Sequence, residues 1–186
     1  LVQAFLASLI LFSFQKAAIY LGILSLLPVA IYPFAKRLTW WPQVFLGIAF
    51  NWGILLAFAA HTGTVTIATM IMYAGAIFWT LFYDTIYAHQ DREDDALIGV
   101  KSTARLFGEK TESWFWLFIF LCGVLTIFAL WLSTEGIQFI IVILGVCAFE
   151  VHLIWQIMRF DADDQGGLLR LFRSNRDAGL IMVAFL

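Results

Sequence analysis

Long apolar blocks alternate with short polar breaks along the whole of this chain. A helix that crosses a bilayer needs about 20 consecutive apolar residues. On that measure the pattern predicts spans near 1–14, 17–35, 41–60, 64–83, 113–133, 136–157 and 175–186, the first and last read as incomplete. The longest polar break, 84–112, is expected to form an acidic loop outside the membrane. The expected fold class is therefore all-α, a polytopic transmembrane helix bundle with seven spans visible, in one domain over 1–186. The chain opens at Leu1 without a methionine and stops at Leu186 inside an apolar run, so it is expected to be a piece of a longer protein.

Charge placement tests that count. If the spans cross in turn, one side carries the breaks 36–40, 84–112 and 158–174. Ten of the 11 Lys and Arg lie there or at the bordering helix starts: Lys36, Arg37, Arg92, Lys101, Arg105, Lys110, Arg159, Arg170, Arg173 and Arg176; only Lys16 lies opposite. A missed or invented span would scatter them. The positive-inside rule then puts the acidic loop in the cytoplasm or an equivalent compartment such as the mitochondrial matrix.

Composition agrees. With 62% hydrophobic residues and 13% charged, and a mean hydropathy of +0.90, the chain reads as an integral membrane protein embedded in a lipid bilayer rather than a soluble domain. No basic stripe or aromatic–basic interleaving suggests nucleic acid as a partner. Cys122 and Cys147 lie inside apolar runs and read as small core residues. Trp40, Trp41, Trp114, Trp116, Trp131 and Trp155 fall near span ends, as an interfacial belt would; Trp52 and Trp79 are deeper and are expected to pack.

The acids concentrate in Tyr83-Asp84-Thr85-Ile86-Tyr87-Ala88-His89-Gln90-Asp91-Arg92-Glu93-Asp94-Asp95. On continuous helical spacing Asp84, Asp91 and Asp95 sit at i, i+7 and i+11, on one face. Asp91 and Asp95, four apart, repel unless a positive charge lies between them. A divalent cation answers that need, and Mg²⁺ commonly completes its shell with substrate phosphates. An ordinary solvated loop is the competing reading. The segment continues through Lys101, Ser102, Thr103 and Arg105, placing bases and hydroxyls beside the acids, which suits a metal together with phosphate. Lys101 offers a compact charge for a phosphate oxygen, or serves only as a topology charge. Lys36-Arg37 ends another span on the same side, and Arg37 could clamp a carboxylate or phosphate through its fork; snorkelling is its plainer role. Glu150 is the one acid well inside a predicted span, so its partner is expected on another helix. His61 and His89 have no metal-ligand spacing.

The block Tyr83-Asp84-Thr85-x-Tyr87-Ala88-x-x-Asp91-x-x-Asp94-Asp95, followed by Ile98-Gly99-Val100-Lys101-Ser102-Thr103-Ala104, resembles the second aspartate-rich motif of the UbiA-type membrane prenyltransferases, and within them most resembles the 4-hydroxybenzoate polyprenyltransferases of ubiquinone biosynthesis. Tyr32-Pro33-Phe34-x-Lys36-Arg37-x-Thr39-x-x-Pro42-Gln43, Leu46-Gly47 and Phe50-x-Trp52 resemble the preceding hairpin of that family. Phe172-x-Ser174-Asn175-Arg176-x-x-Gly179 resembles the start of its last helix. These blocks occur in the family's order.

The resemblance implies nine transmembrane helices around a cavity, of which seven would be visible here, with Mg²⁺ bridging two aspartate-rich motifs to a polyprenyl diphosphate. The first motif, of the form NDxxDRxxD, does not occur in this chain, and the isolated stretch is expected to be inactive. The implied activity is Mg²⁺-dependent transfer of the polyprenyl group to the ring of 4-hydroxybenzoate, beside its hydroxyl, at a bacterial or mitochondrial inner membrane. Asp91, Asp95 and, one layer deeper, Asp84 would be the catalytic and metal-holding acids. Lys101 and Lys36 would meet the diphosphate, Arg37 the acceptor's carboxylate or the diphosphate, and Tyr87 would be a further substrate contact. A sister enzyme using naphthoate, homogentisate or haem is one alternative. A cation transporter is another, although transporter acids lie near mid-membrane and these lie at one edge.

Overall fold

The computed structural model describes residues 2–185, and no strand occurs among the described residues. In chain order the helices are α1 (Val2–Phe12), α2 (Lys16–Leu24), α3 (Leu26–Leu38), α4 (Pro42–Phe50), α5 (Trp52–Thr62), α6 (Ile67–Ala88), α7 (Arg92–Ile98), α8 (Thr103–Phe107), α9 (Thr111–Ser133), α10 (Gly136–Met158) and α11 (Gln165–Ala184), with one 3-10 turn at Gly108–Lys110. The all-α class expected from the apolar pattern is the class observed.

The span count differs. Among the described residues five stretches are long and apolar enough to cross a membrane: Lys16–Leu38, Pro42–Thr62, Ile67–Ala88, Thr103–Ser133 and Gly136–Met158. The expected span at 1–14 is the 11-residue helix α1, short of the roughly 20 residues a bilayer core requires. The expected span at 175–186 is only the later part of α11, which starts at Gln165. Arg170, Arg173, Arg176 and Asp177 make that helix polar as far as Asp177. Nor is 84–112 a loop. Thr85, Ile86 and Ala88 are buried, so packing carries α6 to Ala88 past the first acid, and α7, α8 and the start of α9 occupy most of the remainder.

Helix ends follow local chemistry. Thr66 Oγ1 accepts from the Thr69 amide at 3.2 Å and caps α6. Ser102 Oγ accepts from the Arg105 amide at 3.4 Å and opens α8. Gly99 closes α7 with φ of +80°, a left-handed conformation that an L side chain resists. α4 and α5 are nearly one helix, broken at Asn51, whose Nδ2 donates to Gly47 O at 2.9 Å and to Thr80 Oγ1 of α6 at 2.7 Å. Trp52 follows the break and donates from Nε1 to Leu21 O at 3.0 Å, tying α5 to α2.

α6 is the central helix, in contact with α4, α5, α8, α9 and α11. It lies close to α9 where Gly75 faces that helix: a Cβ there would stand 3.3 Å from the Cys122 carbonyl. Such small residues let helices approach where no hydrophobic effect drives them together. Phe82, Ile86, Phe115, Phe118, Leu153 and Leu168 form the buried centre. Trp41 and Trp114 belong to this core rather than to an interfacial belt. Trp114 stacks on Phe107 at 4.6 Å, and Trp41 meets both edge-on at 5.2 and 5.4 Å. Leu26, Leu27, Phe120, Trp131 and Val151 remain exposed on outward faces, which suits contact with lipid.

Candidate active site

The last turns of α6 present two neighbouring stripes. Trp79, Tyr83 and Tyr87 follow one another at four-residue spacing, and Thr80 and Asp84 run alongside them. Asp84 interacts electrostatically with Lys36 and Asp91, and with Tyr32 of α3. After Ala88 the chain tightens into a turn, with the Gln90 amide donating to Tyr87 O at 2.9 Å, and Asp91 becomes the residue that precedes α7. The continuous face expected for Asp84, Asp91 and Asp95 is therefore broken between the first acid and the other two. Asp91 and Asp95 stay one turn apart, the Asp95 amide donating to Asp91 O at 2.7 Å.

Those two carboxylates converge on one cation. Lys36 Nζ lies 3.8 Å from Asp95 Oδ2 and 4.0 Å from Asp91 Oδ2. Asp95 is buried, and its Oδ2 has no hydrogen-bond partner; Asp91 is half-exposed. Among the described residues no group of three or more His, Cys, Asp or Glu side chains is arranged to hold a metal ion, so Asp84 does not complete a three-carboxylate set here. Two acids facing a positive charge, one with an unsatisfied buried oxygen, nevertheless form a donor set that fits part of a Mg²⁺ shell.

The other expected contacts are placed less centrally. Lys101 donates from Nζ to Leu38 O at 3.3 Å and from its amide to Lys36 O at 2.9 Å, and stands 5.9 Å from the centre of the Trp40 ring. It thus satisfies the last carbonyls of α3 and fixes the helix end that carries Lys36. Arg37, next to Lys36 on the helix and so turned away from it, is exposed and makes no ion pair among the described residues. Tyr87 is partly exposed and packs its ring 4.8 Å from that of Phe172.

Arg105 and Thr103, read from the sequence as a base and a hydroxyl beside the acids, instead help hold this end together, with Thr85, Gln43 and His89. Arg105 donates from Nη1 to Asp95 O at 3.2 Å and to Val100 O, gripping the end of α7. Thr85 and Thr103 hydrogen-bond at 2.7 Å, and buried Gln43 accepts from the Thr103 amide at 3.4 Å, joining α4, α6 and α8. His89 is buried, with Nε2 3.2 Å from Thr111 Oγ1. That hydroxyl donates to Gly108 O at 2.7 Å, so the His89 Nε2–H is the donor to it and Nδ1 carries no proton. Burial first, then the nearby Arg92 charge, push the His89 imidazole down to about 4.

Between α6, α11 and the end of α4 lies an apolar cavity of about 370 Å³, lined by Phe50, Asn51, Trp79, Tyr83 and Phe172, with Arg173 and Arg176 also on its wall. Trp79 is fixed by donating from Nε1 to Asn175 Oδ1 at 2.9 Å. The Asn175 amide donates in turn to Gln156 Oε1 at 3.1 Å, so α6, α10 and α11 share one buried polar cluster. Gln156, an amide inside an apolar run, was the available sequence signal for it. Glu150 packs against Gly123 of α9, and its Oε1 has no hydrogen-bond partner.

Comparison with known proteins extends this picture. A model described as the UbiA prenyltransferase family matches residues 1–177. The chain is 41% identical over 184 residues to a Drosophila pseudoobscura pseudoobscura protein named 4-hydroxybenzoate polyprenyltransferase, mitochondrial, covering 97% of this chain and 45% of that relative. It is 42% identical over 182 residues to the protein of that name from Rattus norvegicus, and 40% identical over 182 residues to that from Homo sapiens, covering 97% of this chain and 48% of each. The chain thus spans about half the length of these curated relatives. No solved structure matches it.

Proposed function

The chain belongs to the UbiA prenyltransferase family, and from that premise we propose that the protein containing it is an integral membrane 4-hydroxybenzoate polyprenyltransferase acting in ubiquinone biosynthesis. The reaction breaks the allylic carbon–oxygen bond of a polyprenyl diphosphate, with diphosphate leaving. It forms a carbon–carbon bond at the ring position beside the hydroxyl of 4-hydroxybenzoate, and a ring proton is lost. The membrane is a bacterial or mitochondrial inner membrane, with 84–112 on the cytoplasmic or matrix side.

The observation that carries this reading is the convergence of Asp91 and Asp95 on one cation, in an apolar bundle that also holds an aromatic-lined cavity. Asp91 and Asp95 would hold Mg²⁺, which when bound supplies positive charge against the leaving diphosphate. Lys36, already drawn to the acids, is within reach of any diphosphate brought there, and Lys101 keeps the end of α3 in register beneath it. Trp79, Tyr83 and Phe172 offer apolar walls that keep water from an electron-deficient allylic carbon.

The test is to purify the full-length protein in lipid and supply a polyprenyl diphosphate, Mg²⁺ and ring-labelled 4-hydroxybenzoate. A lipid-soluble labelled product is expected. Failure to prenylate 4-hydroxybenzoate under conditions where the protein is folded would refute the reading.

A further inference from the structure

Asp95 is held by its main chain and left free at its side chain. Its carbonyl accepts from three donors: the Gly99 amide that closes α7, the Val100 amide at 3.0 Å and Arg105 Nη1 at 3.2 Å. A carbonyl oxygen has two lone pairs, so this one is fully committed. The carboxylate is the reverse case. Its Oδ2 is buried without a hydrogen-bond partner, and the ion pair with Lys36 spans 3.8 Å. The residue is thus placed through its backbone, and no carboxylate oxygen that a metal would need is consumed in placing it.

Arg105 ties that backbone to the rest of the site. Its Nη1 also donates to Val100 O, so one guanidinium nitrogen holds the chain on both sides of the Gly99 turn. Arg105 Cζ stands over the Trp40 ring, 5.4 Å from its centre, and Lys101 Nζ stands 5.9 Å from the same centre. The negative face of an indole attracts both cations. Trp40 follows directly on α3, and its neighbour Trp41 is fixed edge-on against Phe107 and Trp114. The Lys101 amide closes the circuit by donating to Lys36 O at 2.9 Å. Trp40 therefore joins the end of α3, which carries Lys36, to the end of α7, which carries Asp95. This clasp sets their separation, because the loose, half-exposed charge pair contributes too little to do so.

We propose that Arg105, seated on Trp40, is a positioning residue for the metal-holding acids. It fixes the Asp95 main chain where the Asp95 and Asp91 carboxylates face one point, and it touches neither metal nor diphosphate itself. The assignment rests on the Mg²⁺-holding role proposed above for the two acids. Two plainer roles for a base at this place forecast different results. As a bare positive charge near the acids it would oppose a cation, and its loss would tighten metal binding. As a diphosphate ligand it would leave the metal affinity of the substrate-free protein alone.

The test is Mn²⁺ binding to the full-length, substrate-free protein in lipid, read by electron paramagnetic resonance of the unbound ion. Arg105→Met is expected to weaken binding about tenfold, the usual worth of one hydrogen bond from a charged group. Arg105→Lys keeps the charge on a flexible stem in place of the planar fork and should recover only part of the loss. Trp40→Leu leaves both cations in place and removes the ring beneath them, and should weaken binding about threefold. In prenyl transfer the Mg²⁺ concentration for half-maximal turnover should rise by the same factors, with most of the lost turnover returning as Mg²⁺ is raised. Tighter Mn²⁺ binding in Arg105→Met overturns the assignment. So does an unchanged Mn²⁺ affinity, whether the variant raises the KM for the prenyl diphosphate or only lowers thermal stability. Should Arg105→Met not fold, Trp40→Leu decides: wild-type affinity there overturns it equally. Absence of Mn²⁺ binding by the wild type would instead overturn the metal-holding reading, and this assignment with it.

Discussion

Lys36 on α3 reaches across to α7 and sets its ammonium nitrogen 3.8 Å from Asp95 Oδ2, a buried oxygen with no hydrogen-bond partner. The distance is that of an ion pair without a hydrogen bond, and the lysine side chain is 40% exposed. Half-exposed pairs contribute at most about 1 kcal/mol, so the lysine balances the two acids without locking them. A protein built only for stability would hold a buried carboxylate with direct donors. The arrangement suits a site that a stronger cation enters.

Replacing Lys36 by Met should accordingly tighten Mn²⁺ binding to the full-length, substrate-free protein by roughly fivefold, the equivalent of about 1 kcal/mol. Electron paramagnetic resonance of unbound Mn²⁺ measures it directly. Weaker binding in the variant would show that the ammonium does not compete with the metal.

Asp91→Asn and Asp95→Asn each remove one of the two charges that draw a cation to this place. Each is expected to reduce prenyl transfer at least a hundredfold, with raised Mg²⁺ failing to restore it, while the bundle stays folded by circular dichroism. Near-wild-type turnover in both would sink the metal assignment.

His89 gives the turn between α6 and α7 a defined pH dependence. Its folded-state value of about 4 lies below the ordinary 6.5, so between those values the unfolded chain binds the proton that the folded one excludes. The stability this contributes is complete above pH 6.5 and is lost as pH falls towards 4, on the order of 3 kcal/mol in all. Denaturation of the full-length protein at pH 7.5 and 5 should show a steeper acid loss for the wild type than for His89→Gln. Parallel losses would remove His89 as the cause.

The apolar runs made the all-α membrane class legible, because lipid demands long uninterrupted helices. They misplaced what packing decides. Arg170 and Arg173 concealed the start of α11, since a hydropathy count rejects a helix whose polar half lies at the membrane edge. Asp91 and Asp95 could be paired from sequence because one helical turn separates them. Asp84 could not be excluded from that pair, because the turn at His89–Gln90 is set by burial of His89 against Thr111 and leaves no periodic signal. Lys36 came to the acids through tertiary structure, 55 residues before Asp91 in the chain, a relation that spacing alone cannot express.

Asn175→Leu should destabilise the full-length protein by about 1–3 kcal/mol, the cost of leaving a buried donor unsatisfied. Trp79 Nε1 and the Gln156 amide would both lose their partner in one step. Adding Gln156→Leu should recover part of the loss, since one of the two stranded groups is then gone. Thermal unfolding of the single and double variants tests this, and additive losses would mean that the cluster does not act as a unit.

The placement of 84–112 rests on the division of basic residues, and the helix lengths make it testable. α9 contains 23 residues, and at about 1.5 Å per residue it is roughly 34 Å long, just over the bilayer's hydrocarbon core of about 30 Å. Its two ends must then lie on opposite sides of the membrane: Glu109 in the turn before it and Thr134 just after it. Lys110 and Arg105 mark the first end and no Lys or Arg marks the second, so Glu109 is expected on the cytoplasmic or matrix side. Single cysteines at these two positions in the full-length protein, with Cys122→Ala and Cys147→Ser, can be probed with a membrane-impermeant maleimide. In right-side-out vesicles only the Thr134→Cys variant should label, and Glu109→Cys should label only after the membrane is opened. Labelling of both from the same side would mean that α9 does not cross, and labelling with the sides exchanged would invert the orientation while leaving the fold intact.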